Sequence, residues 1–535
     1  MSGFLSISGH VWQVQYAKWL QGQGGGGQVT TIGGDFWYDA SQPRYFIWST
    51  TPSSGGTTNG WISKFSSGVV VPAAGFYPYP AGYNLPNPYY TGNATGINTV
   101  GTFTGSISNL NTTTFSGSIV PGGAYNTTGT LNVTSAPSGN GIAIGSVLTG
   151  TGVTVGTYVV SNISGLGTVG TSSWLVSTVV GSALSTVTNI TMTATQATLN
   201  ISTVTSGVMS IGNVLYKATG GPATNTFIIG NNSTNPALTG NGGTGTYLVN
   251  VTQNYASASA ILAQMPFVGF NSGDAFRIPM GGDDRTLAGY TMFIAAKVTG
   301  AHLVGNFSIC GSSHVGGDFT INTTASTWSY NVAGTTATGV ATTGNWLIHS
   351  MVFDGTQPTN ATKFRAWING AQSTLTFAGN VGTTTIAPKT ITTSTTSATW
   401  TNSNFTVFYG TNTGSPMFVA GDTLTFSGWT TNPSSSISGT TGTLTVTACS
   451  LTAVTVSLPG SGGIVARGTI SGTPIPNLMI SGKAPMTASK TNTNPATVSS
   501  LGLELGEIIV YKGAVDDITR QATEKYMRQK WLGTN

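Results

Sequence analysis

Three glutamates come closest to the spacing of a catalytic carboxylate pair. They are Glu504, Glu507 and Glu524, and the sequence contains no other glutamate. A retaining glycosidase needs two carboxyl groups about 5 Å apart. Glu504 and Glu507 are three residues apart, and such residues on a regular strand point to opposite faces. We therefore expect no catalytic residue here, and salt bridges near the end of the chain instead.

A stretch rich in tyrosine and proline is the best candidate for ligand binding. It reads GFYPYPAGYNLPNPYY and spans Gly75–Tyr90. Prolines stiffen such a segment, and tyrosine rings stack on sugar faces at a low cost in conformational entropy. The candidate glycan-binding residues are Tyr77, Tyr79, Tyr83, Tyr89 and Tyr90. The alternative, which we favour, is that the stretch packs against the first of the two inserted modules described below or against a neighbouring subunit.

Metal-binding patterns are sparse. Asp283 and Asp284, in the sequence GGDD, carry oxygens of the kind that Ca²⁺ prefers. A solvated hairpin turn explains the same sequence, and we favour it. The four histidines show no metal-ligand spacing, and no HExxH, GxSxG or P-loop motif occurs. We expect no cofactor unless this calcium site exists.

The charge pattern excludes several classes of partner. The net charge is +5 over 535 residues, and no basic cluster occurs outside the last helix, so we expect no nucleic-acid binding. No apolar stretch approaches the ~18 residues of a membrane span. The first residues lack the basic and apolar regions of a signal peptide. Cys310 and Cys449 are too few for a disulfide framework, and we expect buried free thiols.

Composition predicts an all-β protein with many tight turns. Gly accounts for 75 residues, and Thr, Ser, Asn and Val are abundant. Thr and Val favour strands, whereas Gly and Asn supply turns. Charge is distributed unevenly: Lys217 is the one charged residue between Lys64 and Asp274. Charges thin out again from Lys389 to Lys490. We interpret the two charge-poor stretches as modules inserted into one domain.

The first charge-poor stretch contains a repeat of about 68 residues. LNV (131–133) matches LNI (199–201), and IAIGSVL (142–148) matches MSIGNVL (209–215). TYVV and TFII follow, and then WLV and YLV, in the same order. The repeat predicts a small β-sandwich or barrel that is used twice. The second charge-poor stretch has a similar strand and turn pattern, and we predict a third β-module there.

Two local patterns predict specific structure. In FRAWINGAQSTLTF, Asn369-Gly370 suits the type I′ turn of a β-hairpin. Near the end, GEIIVY predicts a strand, and the charged sequence after it predicts a helix. Either Asp516 or Asp517 can cap this helix. Its apolar stripe comprises Val515, Ile518, Ala522 and Tyr526, with Met527 and Trp531 beside it.

This ending resembles the closing sequence of concanavalin A-like (laminin-G-like) jelly-roll domains of bacterial and phage proteins. The matching residues are Gly506, Ile508, Tyr511, Asp517, Arg520, Glu524, Tyr526, Lys530 and Trp531. The family's opening LWLDAS is similar to FWYDAS (36–41). WISKFSS (61–67) lacks the Asp of the family's next motif. MFIAAKV and FDG…FRAWING resemble its middle part. The ExDxxE motif of the related glucanases is absent.

The resemblance implies an antiparallel jelly-roll sandwich with adjacent first and last strands. The resemblance covers three separate parts of the chain, and the two charge-poor modules lie between these parts. With a C-terminal helix, the expected fold is an all-β sandwich carrying two inserted β-sandwich or barrel modules. The predicted divisions are an N-terminal arm (1–30), sandwich (31–99), repeat module (100–256), sandwich (257–382), second module (383–498), and closing strand and helix (499–535). The arm either docks on another subunit or packs on its own domain.

These features favour a non-enzymatic structural protein of a virus particle, most simply a bacteriophage. We expect it on the particle surface as a fibre, decoration or adsorption protein, made in the host cytoplasm without a signal peptide. The expected partners are other virion proteins, further copies of the chain and host-surface glycans. The alternatives are a polysaccharide-depolymerising enzyme of a virion, with an Asp site between subunits still open, and a cellular adhesin or surface-layer protein.

Overall fold

The computed structural model describes strands and their surroundings along most of the chain. The described residues are 36–39, 46–48, 58–62, 70–72, 89–91, 98–122, 128–135, 137–138, 141–166, 169–178, 183–223, 226–231, 238–270, 276–279, 287–299, 307–312, 320–323, 327–340, 344–384, 391–394, 397–401, 404–408, 423–427, 443–449, 453–457, 462–465, 469–473, 477–480 and 502–534. The predicted N-terminal arm lies outside these residues.

The described residues form an all-β protein with a helix at its C-terminal end, as predicted. The strands are β1 (Phe36–Asp39), β2 (Phe46–Trp48), β3 (Thr58–Ile62), β4 (Val70–Pro72), β5 (Tyr89–Thr91), β6 (Asn98–Gly122), β7 (Thr128–Val133), β8 (Ser146–Gly150), β9 (Tyr158–Leu166), β10 (Val169–Ser177), β11 (Val187–Gly207), β12 (Val214–Tyr216), β13 (Ile228–Gly230), β14 (Gly245–Val249), β15 (Tyr255–Met265), β16 (Phe267–Phe270), β17 (Phe276–Pro279), β18 (Gly289–Thr299), β19 (Phe307–Ser312), β20 (Thr320–Thr323), β21 (Thr327–Val332), β22 (Thr335–Val340), β23 (Trp346–Asp354), β24 (Phe364–Ile368), β25 (Ala371–Gln372), β26 (Thr376–Phe377), β27 (Ile391–Ser394), β28 (Ser397–Thr401), β29 (Asn404–Phe408), β30 (Thr423–Ser427), β31 (Thr443–Cys449), β32 (Ala453–Ser457), β33 (Gly462–Val465), β34 (Thr469–Thr473), β35 (Asn477–Ile480) and β36 (Gly502–Tyr511).

Two helices accompany these strands in the described part of the chain. They are α1 (Asn360–Lys363) and α2 (Asp517–Leu532). Neither described helix has the length and apolar character needed to span a membrane.

One sheet brings the first and the last described strands together. Its order is β25-β24-β23-β18-β36-β16-β5, and β1 pairs with β36 beside this path. Phe36 lies opposite Val510, and Asp39 lies opposite Glu507, in an antiparallel register. The predicted adjacency of the opening and closing strands is therefore confirmed at the level of strand pairing.

A second sheet packs against the inner face of the first. Its order is β17-β35-β19-β20-β21-β22-β26. The ring of Trp328 on β21 lies 4.1 Å from that of His349 on β23, and Tyr330 lies 5.5 Å from Phe364. Residues from both sheets belong to one hydrophobic core. The two layers form a sandwich, which satisfies the need of each sheet to bury one face.

The Asn-Gly hairpin forms as predicted. Asn369 and Gly370 have φ angles of 53° and 83°, as a type I′ turn requires. Ile368 pairs with Ala371, and Trp367 pairs with Gln372. Trp367 is buried although it faces away from the sandwich core, because the C-terminal helix covers it.

The repeat module consists of two closed barrels that share their longest strands. In the first barrel, pairings run from β6 through β7, β10, β9, β8 and β11 back to β6. In the second barrel, β6 pairs with β15, β15 with β12, β13 with β14, β14 with β11, and β11 again with β6. A bridge between Val214 and Phe227 connects β12 with the segment just before β13. Closure leaves few free strand edges.

Equivalent residues make equivalent contacts in the two barrels. Leu131 lies opposite Trp174 in the first barrel, and Leu199 lies opposite Tyr247 in the second. The amide of Gly145 donates to the Val159 carbonyl at 2.8 Å, and that of Gly212 donates to Ile228 at 2.8 Å. Both glycines have positive φ, which suits residues without a side chain. The repeat seen in the sequence is therefore also a repeat of hydrogen bonds.

A second duplication was missed in the sequence. FTGSI (103–107) and FSGSI (115–119) lie only twelve positions apart on β6. The first is part of the second barrel, where Phe103 pairs with Ile261 of β15. The second is part of the first barrel, where Phe115 pairs with Met192. One strand thus supplies the same element to both barrels.

The glycine of each duplicated pentapeptide should be intolerant of substitution. An added Cβ at Gly117 would lie 2.8 Å from the Asn132 carbonyl oxygen, and at Gly105 it would lie 2.5 Å from that of Asn200. Because backbone atoms cannot move aside alone, Gly117→Ala should lower the free energy of unfolding by about 1–3 kcal/mol. Urea unfolding followed by circular dichroism measures this. Gly122→Ala is the control, since nothing lies within 4 Å of its added Cβ.

The two barrels differ in how they connect to the sandwich. Core residues of the second barrel join those of the sandwich in one hydrophobic core, whereas the first barrel has a core of its own. At the junction, the side chain of Asn98 donates to the Trp531 carbonyl at 2.7 Å. The first barrel therefore lies on the part of β6 that is farther from the sandwich.

The last module forms an eight-stranded set, ordered β27-β34-β30-β31-β32-β29-β28-β33. Strand β35 lies within the predicted range 383–498 but pairs with β17 and β19 of the sandwich. Similarly, β15 extends beyond residue 256 while belonging to the second barrel. Charge does not mark these boundaries because strands on both sides of them are uncharged.

Candidate functional site: carboxylates beneath the terminal helix

The helix α2 begins and ends at well-formed caps. The side chain of Asp516 accepts a hydrogen bond from the Thr519 amide at 2.8 Å, so Asp516 is the N-cap and Asp517 lies in the first turn. Gly533 ends the helix with a left-handed φ of 63°. Both features are typical helix signals, and the acidic first turn suits the positive end of the helix dipole.

The buried face of α2 differs from the apolar stripe predicted for it. Ile518 is 57% exposed, whereas Arg520, Glu524 and Lys530 are buried. The prediction assumed that charged side chains face water. This helix buries several of them because each finds a partner of opposite charge on the helix or on the sheet below it.

A β-bulge in β36 brings Glu504 and Glu507 to the same face of the sheet. Glu507 lies opposite Ala295, and Glu504 lies opposite Lys297, with a register shift between them at Gly506. Ala295 and Lys297 are two residues apart and share one face. The expectation that the two glutamates point to opposite faces is therefore wrong, because the extra residue of the bulge reverses the alternation.

Glu507 is fully buried beneath the helix and has three donors. Its Oε2 accepts from Trp531 Nε1 at 2.7 Å and lies 3.1 Å from Lys530 Nζ. Its Oε1 accepts from the Tyr526 hydroxyl at 3.0 Å. Lys530 Nζ also donates to that hydroxyl at 3.0 Å. Charge-assisted bonds of this kind are strong and directional, so they fasten the helix to the closing strand.

A second buried ion pair lies nearer the start of the helix. Arg520 donates to Glu524 at 2.7 Å and to Asp517 at 3.1 Å. Its guanidinium lies 4.0 Å from the ring of Trp367, within cation–π range. This contact holds the start of the helix over the Asn-Gly hairpin.

The three glutamates therefore make structural contacts. Glu507 is covered by the helix, Glu524 lies on the buried side of the helix and pairs with Arg520, and Glu504 pairs with Lys297 at 3.1 Å. A general acid or nucleophile must reach its substrate, and the buried carboxylates already have partners at hydrogen-bond distance. The salt bridges expected near the helix are present.

Substituting the bulge glycine should detach the end of the helix. An added Cβ at Gly506 would lie 2.5 Å from the Trp531 ring. The ring must then shift, and we expect Gly506→Ala to lose the Trp531–Glu507 bond and about 2 kcal/mol of stability. Hydrogen exchange of the Trp531 indole measures the loss. Gly513→Ala serves as the control, because its Cβ meets nothing within 4 Å.

Most predicted ligand-binding residues lie outside the described residues. These are Tyr77, Tyr79, Tyr83, Asp283 and Asp284. Tyr89 and Tyr90 lie on β5, where Tyr89 pairs with Gly269 and Tyr90 with Val268. Among the residues that the structure describes, no group of His, Cys, Asp and Glu side chains could hold a metal ion.

A buried histidine was missed in the sequence. His349 lies on β23 between Ile294 and Ile368 and is almost wholly buried. Burial lowers its pKa from the ordinary 6.5 to about 3. Neither ring nitrogen has a hydrogen-bond partner among the described residues. The signal available was its place inside the apolar run WLIHSMVF.

Comparison with known proteins gives no relative. No family model, curated protein or solved structure matches this chain.

Proposed function

We propose that the chain is a structural protein of a virus particle, most simply a bacteriophage, displayed on the particle surface. The observation that carries the proposal is the pair of barrels that are built on the same long strands. Their shared strand β6 has 25 residues, and at about 3.3 Å per residue its contour length is roughly 80 Å. Two closed barrels on so long a strand suit a stiff spacer that holds one surface away from another.

The chemistry of the spacer supports this role. Lys217 is its one charged residue. Exposed hydroxyls pair across its strands, as between Thr104 and Ser202 at 3.2 Å. A module with a single charged residue depends little on salt and pH. Such insensitivity suits a protein exposed to changing external media.

The sandwich supports a concanavalin A-like origin. Its opening and closing strands pair, its two sheets share a core, and the helix follows the last strand. We propose that it serves as the base or the adsorption domain of a fibre or decoration protein. Its partners are other virion proteins, further copies of the chain and host-surface glycans, whose weak individual contacts gain from multivalency.

Particle fractionation tests the proposal. Virions from the producing culture are banded in a density gradient, probed with an antibody to this chain and imaged after gold labelling. We expect the chain to band with intact particles and the label to mark their surface. A chain that stays at the top of the gradient, or that remains with cell envelopes as an adhesin would, contradicts the proposal. Release of reducing sugar from host polysaccharide would favour the enzyme instead.

A further inference from the structure

One stretch of β6, at the joint between the two barrels, has a free edge. On one side, β6 pairs with β11 along most of its length. On the other side, β15 pairs with β6 as far as Ile107, and the next backbone pairing is the bridge between Thr114 and Ser138. Within the described part of the chain, no strand pairs with this side of β6 between those two points. We call the stretch Ser108–Thr112 the waist edge.

The backbone of the waist edge presents hydrogen-bonding groups away from β11. The Thr114 carbonyl faces the free side, where it accepts a hydrogen bond of 2.9 Å in the bridge. Because alternate residues of a strand direct their backbone groups to the same side, those of Thr112 also face the free side. The Ser108 carbonyl accepts from the Thr198 hydroxyl of β11 at 3.2 Å. The backbone groups of the next residue, Asn109, therefore face the free side too.

The waist edge is open to the addition of a short strand. The side chains of Ser108, Asn109 and Thr112 are exposed. The stretch contains no lysine and no proline, which commonly protect sheet edges from further pairing. An extended peptide can add to such an edge through main-chain hydrogen bonds. Strand β15 and Ser138 flank the edge, so an added strand has room for about five residues.

The first residues of the chain contain a candidate strand of this length. The sequence FLSIS (4–8) lies between Gly3 and Gly9, and its apolar Leu5 and Ile7 alternate with serines. Alternation between glycine boundaries is typical of a short strand. The segment is uncharged, like the waist edge. It lies outside the described residues, which begin with β1.

The segment is long enough to reach the waist edge of its own chain. Residues 9–35 connect it to β1, and these 27 residues extend to about 90 Å at most. Strand β1 belongs to the sandwich, which contacts the start of β6 through the bond between Asn98 and Trp531. The waist edge begins about 35 Å along β6 from Asn98. Attachment gives the segment a high effective concentration, which favours its own chain over a second copy.

We propose that residues 4–8 add as a strand to the waist edge of the same chain. The added strand exchanges main-chain hydrogen bonds with Asn109 and Thr112. It extends the barrel wall across the gap between β15 and Ser138. The two barrels have separate cores, so a strand that spans this gap stiffens the joint between them. This docking does not depend on the particle assignment.

Hydrogen exchange followed by mass spectrometry tests the docking on the full-length chain. The amides of Asn109 and Thr112 should exchange slowly, because the added strand accepts their hydrogen bonds. Ile7→Pro removes a donor and disfavours pairing, so it should speed this exchange about tenfold or more. Deletion of residues 1–9 should have the same effect. Gln23→Pro, in the glycine-rich stretch of the same arm, should exchange as the unaltered chain does.

Three outcomes would overturn the docking. Fast exchange of Asn109 and Thr112 in the unaltered chain would show that the waist edge is open. Slow exchange that survives the deletion would show that another segment covers it. Slow exchange that is lost when the protein is diluted would assign the added strand to a second copy. Exchange at residues 115–119 of the same strand should be equal in all variants, which establishes that the barrels remain folded.

Discussion

Lys530→Met is expected to lower the free energy of unfolding by about 3–5 kcal/mol. Lys530 Nζ lies 3.1 Å from the fully buried Glu507 carboxylate. Methionine keeps most of the side-chain volume but removes the positive charge. Glu507 then remains buried without a counter-charge, retaining the Trp531 and Tyr526 donors. Urea unfolding followed by tryptophan fluorescence measures the change.

Two further variants isolate the buried pair. Lys525→Met alters an exposed lysine of the same helix, and we expect a change within about 0.5 kcal/mol. The double variant Glu507→Gln with Lys530→Met should lose less stability than Lys530→Met alone, because no charge is then left unpaired. Equal losses for Lys530→Met and Lys525→Met would show that the ion pair does not stabilise the helix.

Acid is expected to destabilise the sandwich through His349. Its pKa is about 3 in the folded protein, against an ordinary 6.5. Between pH 3 and pH 6.5 the unfolded chain binds a proton that the folded chain does not. The contribution of neutral His349 to the free energy of unfolding is therefore complete above pH 6.5 and is lost as the pH falls toward 3. With about 1.4 kcal/mol per pKa unit, lowering the pH from 7 to 4 should remove on the order of 3 kcal/mol.

The variant His349→Phe separates this effect from other acid effects. Phenylalanine keeps an aromatic ring against Trp328 and does not titrate. The loss of stability between pH 7 and pH 4, measured by urea unfolding at both values, should be smaller in the variant by about 3 kcal/mol. Identical losses in the two proteins would mean that His349 is not buried in its neutral form.

Local patterns predicted those parts of the fold that neighbouring residues determine. The Asn-Gly turn needs two residues of positive φ, and the dipeptide Asn-Gly is by itself enough to indicate such a turn. The repeat was visible because the two barrels keep the same residues at the same positions, such as LNV and LNI. The pairing of β1 with β36 came from resemblance, since residues so far apart carry no shared local pattern.

Other features depend on contacts that no local pattern contains. In the sequence, nothing distinguishes Gly506 from an ordinary strand position. The bulge depends on the packing of Trp531 against this glycine, which only the structure shows. The inward face of α2 contains Arg520, Glu524 and Lys530, whose burial depends on partners that the fold supplies.

The pairing of β1 with β36 also determines the order in which the chain can fold. Phe36 finds its partner Val510 only after all the residues between them have left the ribosome. The first barrel has its own core and closes through strands that are near in sequence, so it can fold early during synthesis. Strand β36, which lies in the middle of the first sheet, is the last strand of that sheet to be synthesised. Until then, β18 exposes the edge that β36 will cover, and a chain that stalls before Gly502 leaves that edge open to aggregation.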